Sequence, residues 1–211
     1  MKKRNQITQA AILAVAGVAS LNAMAETASV QASVTVDNSI DFSATGTLNF
    51  GTLRAIGDNT GANCSYLTLT ANPATPTLQQ NHASATTTAV TCANDGASAM
   101  QAIGGTLARP VFSLVGVPDF TTLSVTLPTE VEMSAAVGPT AARFYLRDFT
   151  AWKTSGTPGA VTTTIVTGAA ATPTTFVLGA TLATDDNAFT GAGYQDSVPY
   201  TGTVDVTVAY Q

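Results

Sequence analysis

Apolar and polar residues alternate along much of this chain, most regularly over its last twelve residues, Tyr200–Gln211 ("YTGTVDVTVAYQ"). Val204, Val206, Val208 and Tyr210 fall on one side, and Thr203, Asp205, Thr207 and Ala209 on the other. A period of two is the signature of a strand with one buried face. The same period runs through Ala28–Val36, where Val30, Ala32, Val34 and Val36 share a face. Between these ends, β-branched runs broken by Gly, Pro, Asn or Asp predict further strands. They fall at Ile40–Phe42, Gly46–Leu53, Tyr66–Thr70, Thr87–Cys92, Arg109–Val115 and Thr121–Leu127, then at Glu132–Ala136, Arg143–Thr150, Thr162–Val166 and Thr175–Leu182. No stretch carries a helical stripe with caps at both ends. Many short strands separated by turn residues predict an all-β fold, a mainly antiparallel β-sandwich. The short gaps between them give no internal repeat.

The first 25 residues follow another pattern. Lys2, Lys3 and Arg4 precede an apolar run, Ala10–Leu21, and "AMA" (Ala23–Ala25) supplies small residues at a cleavage position. This is the layout of a secretory signal peptide. The apolar run is shorter than the ~20 residues that span a bilayer. Cleavage after Ala25 leaves 186 residues beginning at Glu26. The predicted organisation is a signal peptide over 1–25, an N-terminal strand over 26–37 and a β-sandwich domain over 38–211.

Processing changes the charge. Three of the eight basic residues leave with the signal and all 13 acidic ones stay, so the mature net charge is −8. An acidic, charge-poor chain without a basic stripe argues against nucleic acid or anionic membrane as a partner. In an exported chain, Cys64 and Cys92, the whole cysteine complement, predict one disulfide. Closing that loop stabilises by ~3–4 kcal/mol in the chain-entropy picture. A metal pair or a reactive thiol is the competing reading, but a metal site needs more ligands. The single histidine, His82, lies in a polar stretch.

Candidate chemistry is sparse. His82 has no signposted nucleophile, and no G-x-S-x-G elbow is present. Glu130 and Glu132 share a strand face as a glycosidase pair would. Such a pair works only at a defined separation across a cleft, and solvent-facing strand charges fit better. "TDDN" (Thr184–Asn187) offers oxygen ligands without the spacing of a calcium loop and reads as a turn. Gly104–Gly105 and Gly191–Gly193 have no phosphate-loop context and read as loop glycines. Trp152 is suited to stacking on a sugar, although a single Trp in a β domain is more often packing. The expectation is no enzyme, cofactor or metal.

Two readings of the terminal strands stay open from pattern alone. Ala28–Val36 is either the first strand of its own sandwich or a donor strand that completes a neighbouring subunit. A resemblance bears on this. "LNFGTL" (Leu48–Leu53), "FSLVGVPDFTTLSVTLP" (Phe112–Pro128), "FVLGATL" (Phe176–Leu182) and the terminal "YTGTVDVTVAYQ" resemble, in order, the DUF4402 family of exported bacterial proteins. That family looks related to spore-coat-U-like and chaperone–usher pilin domains. The resemblance covers nearly the whole mature chain and implies an immunoglobulin-like secreted or surface-filament subunit. The chain end is also similar to chaperone–usher pilins, which close on alternating apolar residues and a penultimate tyrosine, here Tyr210. Many of those subunits also carry a glycine at the position that is Val198 here; the nearest glycines in this chain are Gly193 and Gly202.

The resemblance therefore implies a structural subunit of an extracellular fimbria-like filament with a role in adhesion or biofilm. It implies self-assembly by strand exchange and, in transit, a periplasmic chaperone and an outer-membrane usher. Val30, Ala32, Val34 and Val36 would form the donor face; Val204, Val206, Val208 and Tyr210 would flank the acceptor groove. The alternative is a monomeric secreted carbohydrate-binding or adhesin module using Trp152.

The exported protein is expected to begin at Glu26 and to contain a Cys64–Cys92 bridge. Intact mass with and without reduction and alkylation checks both; two thiols that alkylate without reductant would rule out the bridge.

Overall fold

The computed structural model describes residues 31, 33–35, 39–60, 64–75, 78–81 (backbone alone), 98–135, 141–169, 172–185, 188–190 and 193–211. The chain divides into two compact units, Met1–Val36 and Asp37–Gln211. In the first, residues 31 and 33–35 form no strand, and Val34 is 86% exposed. An alternating pattern becomes a strand only when its N–H and C=O groups find a ladder partner. The signal segment, Val30, Ala32, Val36, His82, Cys92 and the strand predicted over Thr87–Cys92 lie outside the described residues.

The second unit is all-β. Its described strands, in chain order, are β1 (Asp41–Thr45), β2 (Asn49–Ile56), β3 (Tyr66–Leu69), β4 (Leu78–Asn81), β5 (Ala99–Ala108), β6 (Val111–Val115) and β7 (Thr122–Thr126). They continue with β8 (Glu130–Ala135), β9 (Phe144–Lys153), β10 (Gly159–Val161), β11 (Thr164–Val166), β12 (Thr174–Thr184), β13 (Tyr200–Thr201) and β14 (Thr207–Tyr210). All pairings are antiparallel. The large sheet runs β1-β6-β12-β9-β8-β13, with β10 beside β9 and β3-β4 beside β12. A second sheet runs β11-β7-β14, and β2 pairs with β5 alone.

β12 organises the large sheet. One of its edges is shared: β6 pairs with Thr174–Val177 and β3 with Ala180–Ala183. The other edge belongs to β9. Every residue of β12 except Thr175 is buried. Phe176 and Leu178 pack with Phe112, Leu114, Leu123 and Ile165, between the large sheet and β11-β7. Ala180 and Leu182 pack with Leu67, Leu69 and Leu146, closed over by Phe50 of β2 and Met100 of β5. A strand buried on both faces has no polar alternation to display.

Gly179 marks the point where the shared edge changes hands. A Cβ there would lie far inside contact distance of Leu69 O and Ala71 N, both main-chain atoms. Opposite it, β9 carries a bulge at which Asp148 takes φ 47°.

Three sequence expectations need correction. Gly104 and Gly105 are not loop glycines; they lie inside β5, a strand that the pattern did not reveal. They form a bulge against β2, where Gly51 and Gly105 both take positive φ (78° and 82°) and their backbones nearly touch. The bulge breaks the period of two, which hid the strand. The stretch between Tyr66–Thr70 and Thr87–Cys92, in which the pattern predicts no strand, includes β4, on the edge of β3. The terminal run is not one strand. β13 pairs with β8 in the large sheet, β14 pairs with β7 in the second, and residues 202–206 bridge them without ladder pairing.

Gly179→Ala is expected to lower stability by about 3 kcal/mol or more, since the added methyl meets backbone that cannot rotate away. Urea unfolding against the parent chain measures it.

Candidate functional site

The described strands around the Phe176 cluster follow one another without a break. From β1 the order is β6, β12, β9 and β10. Two residues, Thr162 and Thr163, then carry the chain from β10 into β11, which is followed by β7 and β14. Val125 N donates to Thr163 O (2.8 Å), so the corner is tied to the second sheet. The two ends of this succession are β1 and β14. Each has one edge with no strand beside it among the described residues.

Both end strands rest on the same core. Ile40 and Phe42 at β1, and Val204, Val206, Val208 and Tyr210 toward β14, are partly buried against the cluster that holds Phe112, Leu123, Phe176 and Leu178. Phe42 stacks on Phe112 (5.6 Å between centroids), which stacks on Phe176 (5.0 Å). Along 204–211 half-buried and exposed residues alternate strictly. The predicted face is therefore real, but each of its four residues keeps part of its surface in solvent. Among the described residues the buried Tyr210 hydroxyl has no hydrogen-bond partner, a rare state for a polar group. We call this pair of apolar lips the seam.

Gly202 lets the chain reach the seam. A Cβ there would sit 2.5 Å from Glu132 O of β8, so only glycine lets the terminal segment leave β8 so closely. The sequence pattern located the row Val204–Tyr210. It did not assign Ile40 and Phe42 to the opposite lip or single out Gly202, because both roles arise from pairings distant in sequence.

The other candidate residues are dispersed. Glu130 and Glu132 are exposed, as expected, yet each meets an arginine: Arg147 of β9 and Arg143, the residue just before that strand. Glu130 Oε2 accepts from Arg147 Nε and Glu132 Oε2 from Arg143 Nη1, both at 2.6 Å. Arg147 is 6% exposed and lies 5.1 Å from the Tyr145 ring centroid. The hydrogen bond to Glu132 raises the Arg143 pKa. The two carboxylates are engaged by cations rather than facing each other across a cleft. Thr184 closes β12, and its hydroxyl accepts from Ser65 N (2.8 Å). Asp185 is buried and accepts from Arg143 N (3.0 Å); Asp186 and Asn187 lie outside the described residues. Tyr194 donates to Arg143 O and accepts from Asp185 N, each at 2.7 Å, and burial pushes its hydroxyl pKa well up. Gly193 is described and Gly191 is not. Trp152 is half-buried on β9, between Val177 of β12 and Ala160 of β10.

A cleft of about 500 Å³ is lined by Ser124, Thr126, Leu127, Phe149, Thr163 and Gln211, among others, with no ionisable side chain among the described residues of its wall. Among the described residues no group of three His, Cys, Asp or Glu is placed to hold a metal ion. None of the described helices is long and apolar enough to cross a membrane, since the described residues form none. Cys64 is buried just before β3. The chain matches no protein-family model, no curated protein and no solved structure.

The two arginine pairs should respond unequally to loss of their carboxylates. Glu130→Gln leaves a buried guanidinium without its carboxylate and is expected to cost about 1–2 kcal/mol, the partial exposure of Glu130 moderating the effect. Glu132→Gln, in a pair that keeps solvent contact on both sides, is expected to cost clearly less than Glu130→Gln. Chemical denaturation of both variants tests the asymmetry.

Proposed function

We propose that this protein is a structural subunit of an extracellular, fimbria-like filament assembled by strand exchange between copies, serving adhesion or biofilm formation. The seam is the observation that carries this reading. Its lips are the first and last described strands of the domain: Ile40 and Phe42 at one, and Val204, Val206, Val208 and Tyr210 toward the other, are partly buried against a common core, and each strand has one edge with no neighbour among the described residues. An extended segment laid between them would pair with free main-chain groups and cover the apolar row, the mode of β-strand addition. The Tyr210 hydroxyl, buried and without a partner among the described residues, would find a main-chain carbonyl on such a segment.

The chain carries a segment of matching length and pattern. Val204–Tyr210 spans roughly 23 Å at strand rise, and Ala28–Val36 roughly 30 Å. Val30, Ala32, Val34 and Val36 would fill the seam of the next copy. Each buried Val contributes ~1.5 kcal/mol or more. With main-chain hydrogen bonds added, the joint would be stable. In this reading the domain is an immunoglobulin-like sandwich with one strand missing. The chain is exported behind the 1–25 signal, bridged at Cys64–Cys92, and passes through the periplasm with a chaperone and usher to the cell surface. The resemblance to DUF4402 and pilin domains points the same way.

Val34→Asp should block polymerisation while the monomer still folds and is exported, because the seam would have to bury an unpaired carboxylate. Val206→Asp should damage the domain itself, since that residue packs on its own core. Electron microscopy of surface material and thermal unfolding of the monomer separate the two effects. Filaments from Val34→Asp chains that match the parent's would refute the donor assignment.

A further inference from the structure

Phe120 is 73% exposed and takes φ 52°, a backbone region that bulky side chains rarely enter. Strain of this kind persists only where surrounding structure imposes it, and it concentrates at functional positions. Here the imposing structure is plain. Phe120 lies in the turn between β6 and β7, and the buried Thr167 binds that turn from two sides. Its hydroxyl donates to Pro118 O and accepts from Thr121 N, both at 2.8 Å. Thr167 N donates to Thr121 O (2.9 Å), and Phe120 N reaches Gly168 O (3.4 Å). Val117 anchors the same turn in the core. The ring is thus held out on a fixed mount, in solvent.

Its place in the fold suggests what covers it. The turn leaves β6 just after Val115, which pairs with Asp41, the first residue of β1. It enters β7 beside Leu123, which pairs with Tyr210. Phe120 therefore marks the pole where the chain enters β1. Val36, the end of the proposed donor segment, is five residues before Asp41, a reach of at most about 18 Å. A copy that holds Val36 in its seam is tethered within that distance of this pole. The chain is also acidic, so successive copies repel, and an apolar contact at the joint would offset that repulsion.

We propose that Phe120 is an anchor between successive copies: its ring packs onto the copy that receives the donor segment and fixes the angle of the joint. This rests on the strand-exchange reading. The test uses filaments of the mature chain carrying Phe120→Gly or Phe120→Tyr, with domain stability measured in a Val34→Asp background. Glycine adopts φ 52° freely, so Phe120→Gly should leave the melting temperature of the unassembled domain equal or higher. The same change should make filaments dissociate about tenfold faster in denaturant, as loss of an interface anchor does, and bend more on microscope grids. Phe120→Tyr should behave as the parent. Three outcomes overturn the proposal: unchanged dissociation and bending in Phe120→Gly, a fall of domain and filament stability together, or intact joints with lost attachment to surfaces. Filaments unaffected by Val34→Asp would remove the donor assignment and with it the tether that brings Phe120 to the joint, and absence of filaments from the parent chain would overturn the strand-exchange reading as well.

Discussion

The burial of β12 on both edges and both faces is the constraint on which the rest of this domain depends. Its first half needs β6 and its second half needs β3 along a single edge, while β9 holds the other from Phe176 to Thr184. Two partners can share one edge only if the backbones of both can approach it, and Gly179 provides that room. The inward side chains then divide into two clusters along the strand, Phe176 and Leu178 in one, Ala180 and Leu182 in the other. Each cluster is closed by a different small sheet. A strand so enclosed forfeits every main-chain group to the sheet, which leaves any opportunity for further pairing to the periphery.

The periphery is shaped by a second constraint, the passage of the terminal segment from one sheet to the other. β13 follows β8 and β14 follows β7, so the segment shadows the β7–β8 connection across the bend. Strands that switch sheets need a bend or a bulge at the corner, and Gly202 supplies the close approach against Glu132. Because β14 ends the succession of strands around the Phe176 cluster and β1 begins it, the two lips face the same core from opposite ends. Half-burial of Val204, Val206, Val208 and Tyr210 follows from that position rather than from their chemistry. The proposal of strand exchange takes its force from this topology. The rigid display of Phe120 at the pole where β1 begins adds a second contact that the same assembly would use.

Much of the local structure was legible in the residues. Alternation and β-branched runs located β1, β2, β3, β7, β8, β9 and β12 to within a few residues, because a half-buried strand imposes a period of two on the sequence. β5 escaped because its bulge at Gly104–Gly105 breaks that period, and because a pair of glycines looks the same in a loop as in a ladder irregularity. Glu130 and Glu132 were legible as exposed strand charges. Their arginine partners, Arg147 on β9 and Arg143 just before it, were not, since cross-strand register is set by pairing and not by spacing along the chain.

By itself the sequence determined that the described fold is all-β and which residues of the last run turn toward the core. Those are local properties: side-chain direction in a strand repeats every two residues. Only the tertiary structure decided that the most regular run belongs to two sheets, that Ile40 and Phe42 oppose it across one core, and that Thr167 fixes Phe120 in solvent. Each depends on residues far apart in the chain, as with Gly202 and Glu132 or Thr167 and Pro118. Periodicity carries no information about such pairs, because it records which way a residue faces and not what it meets.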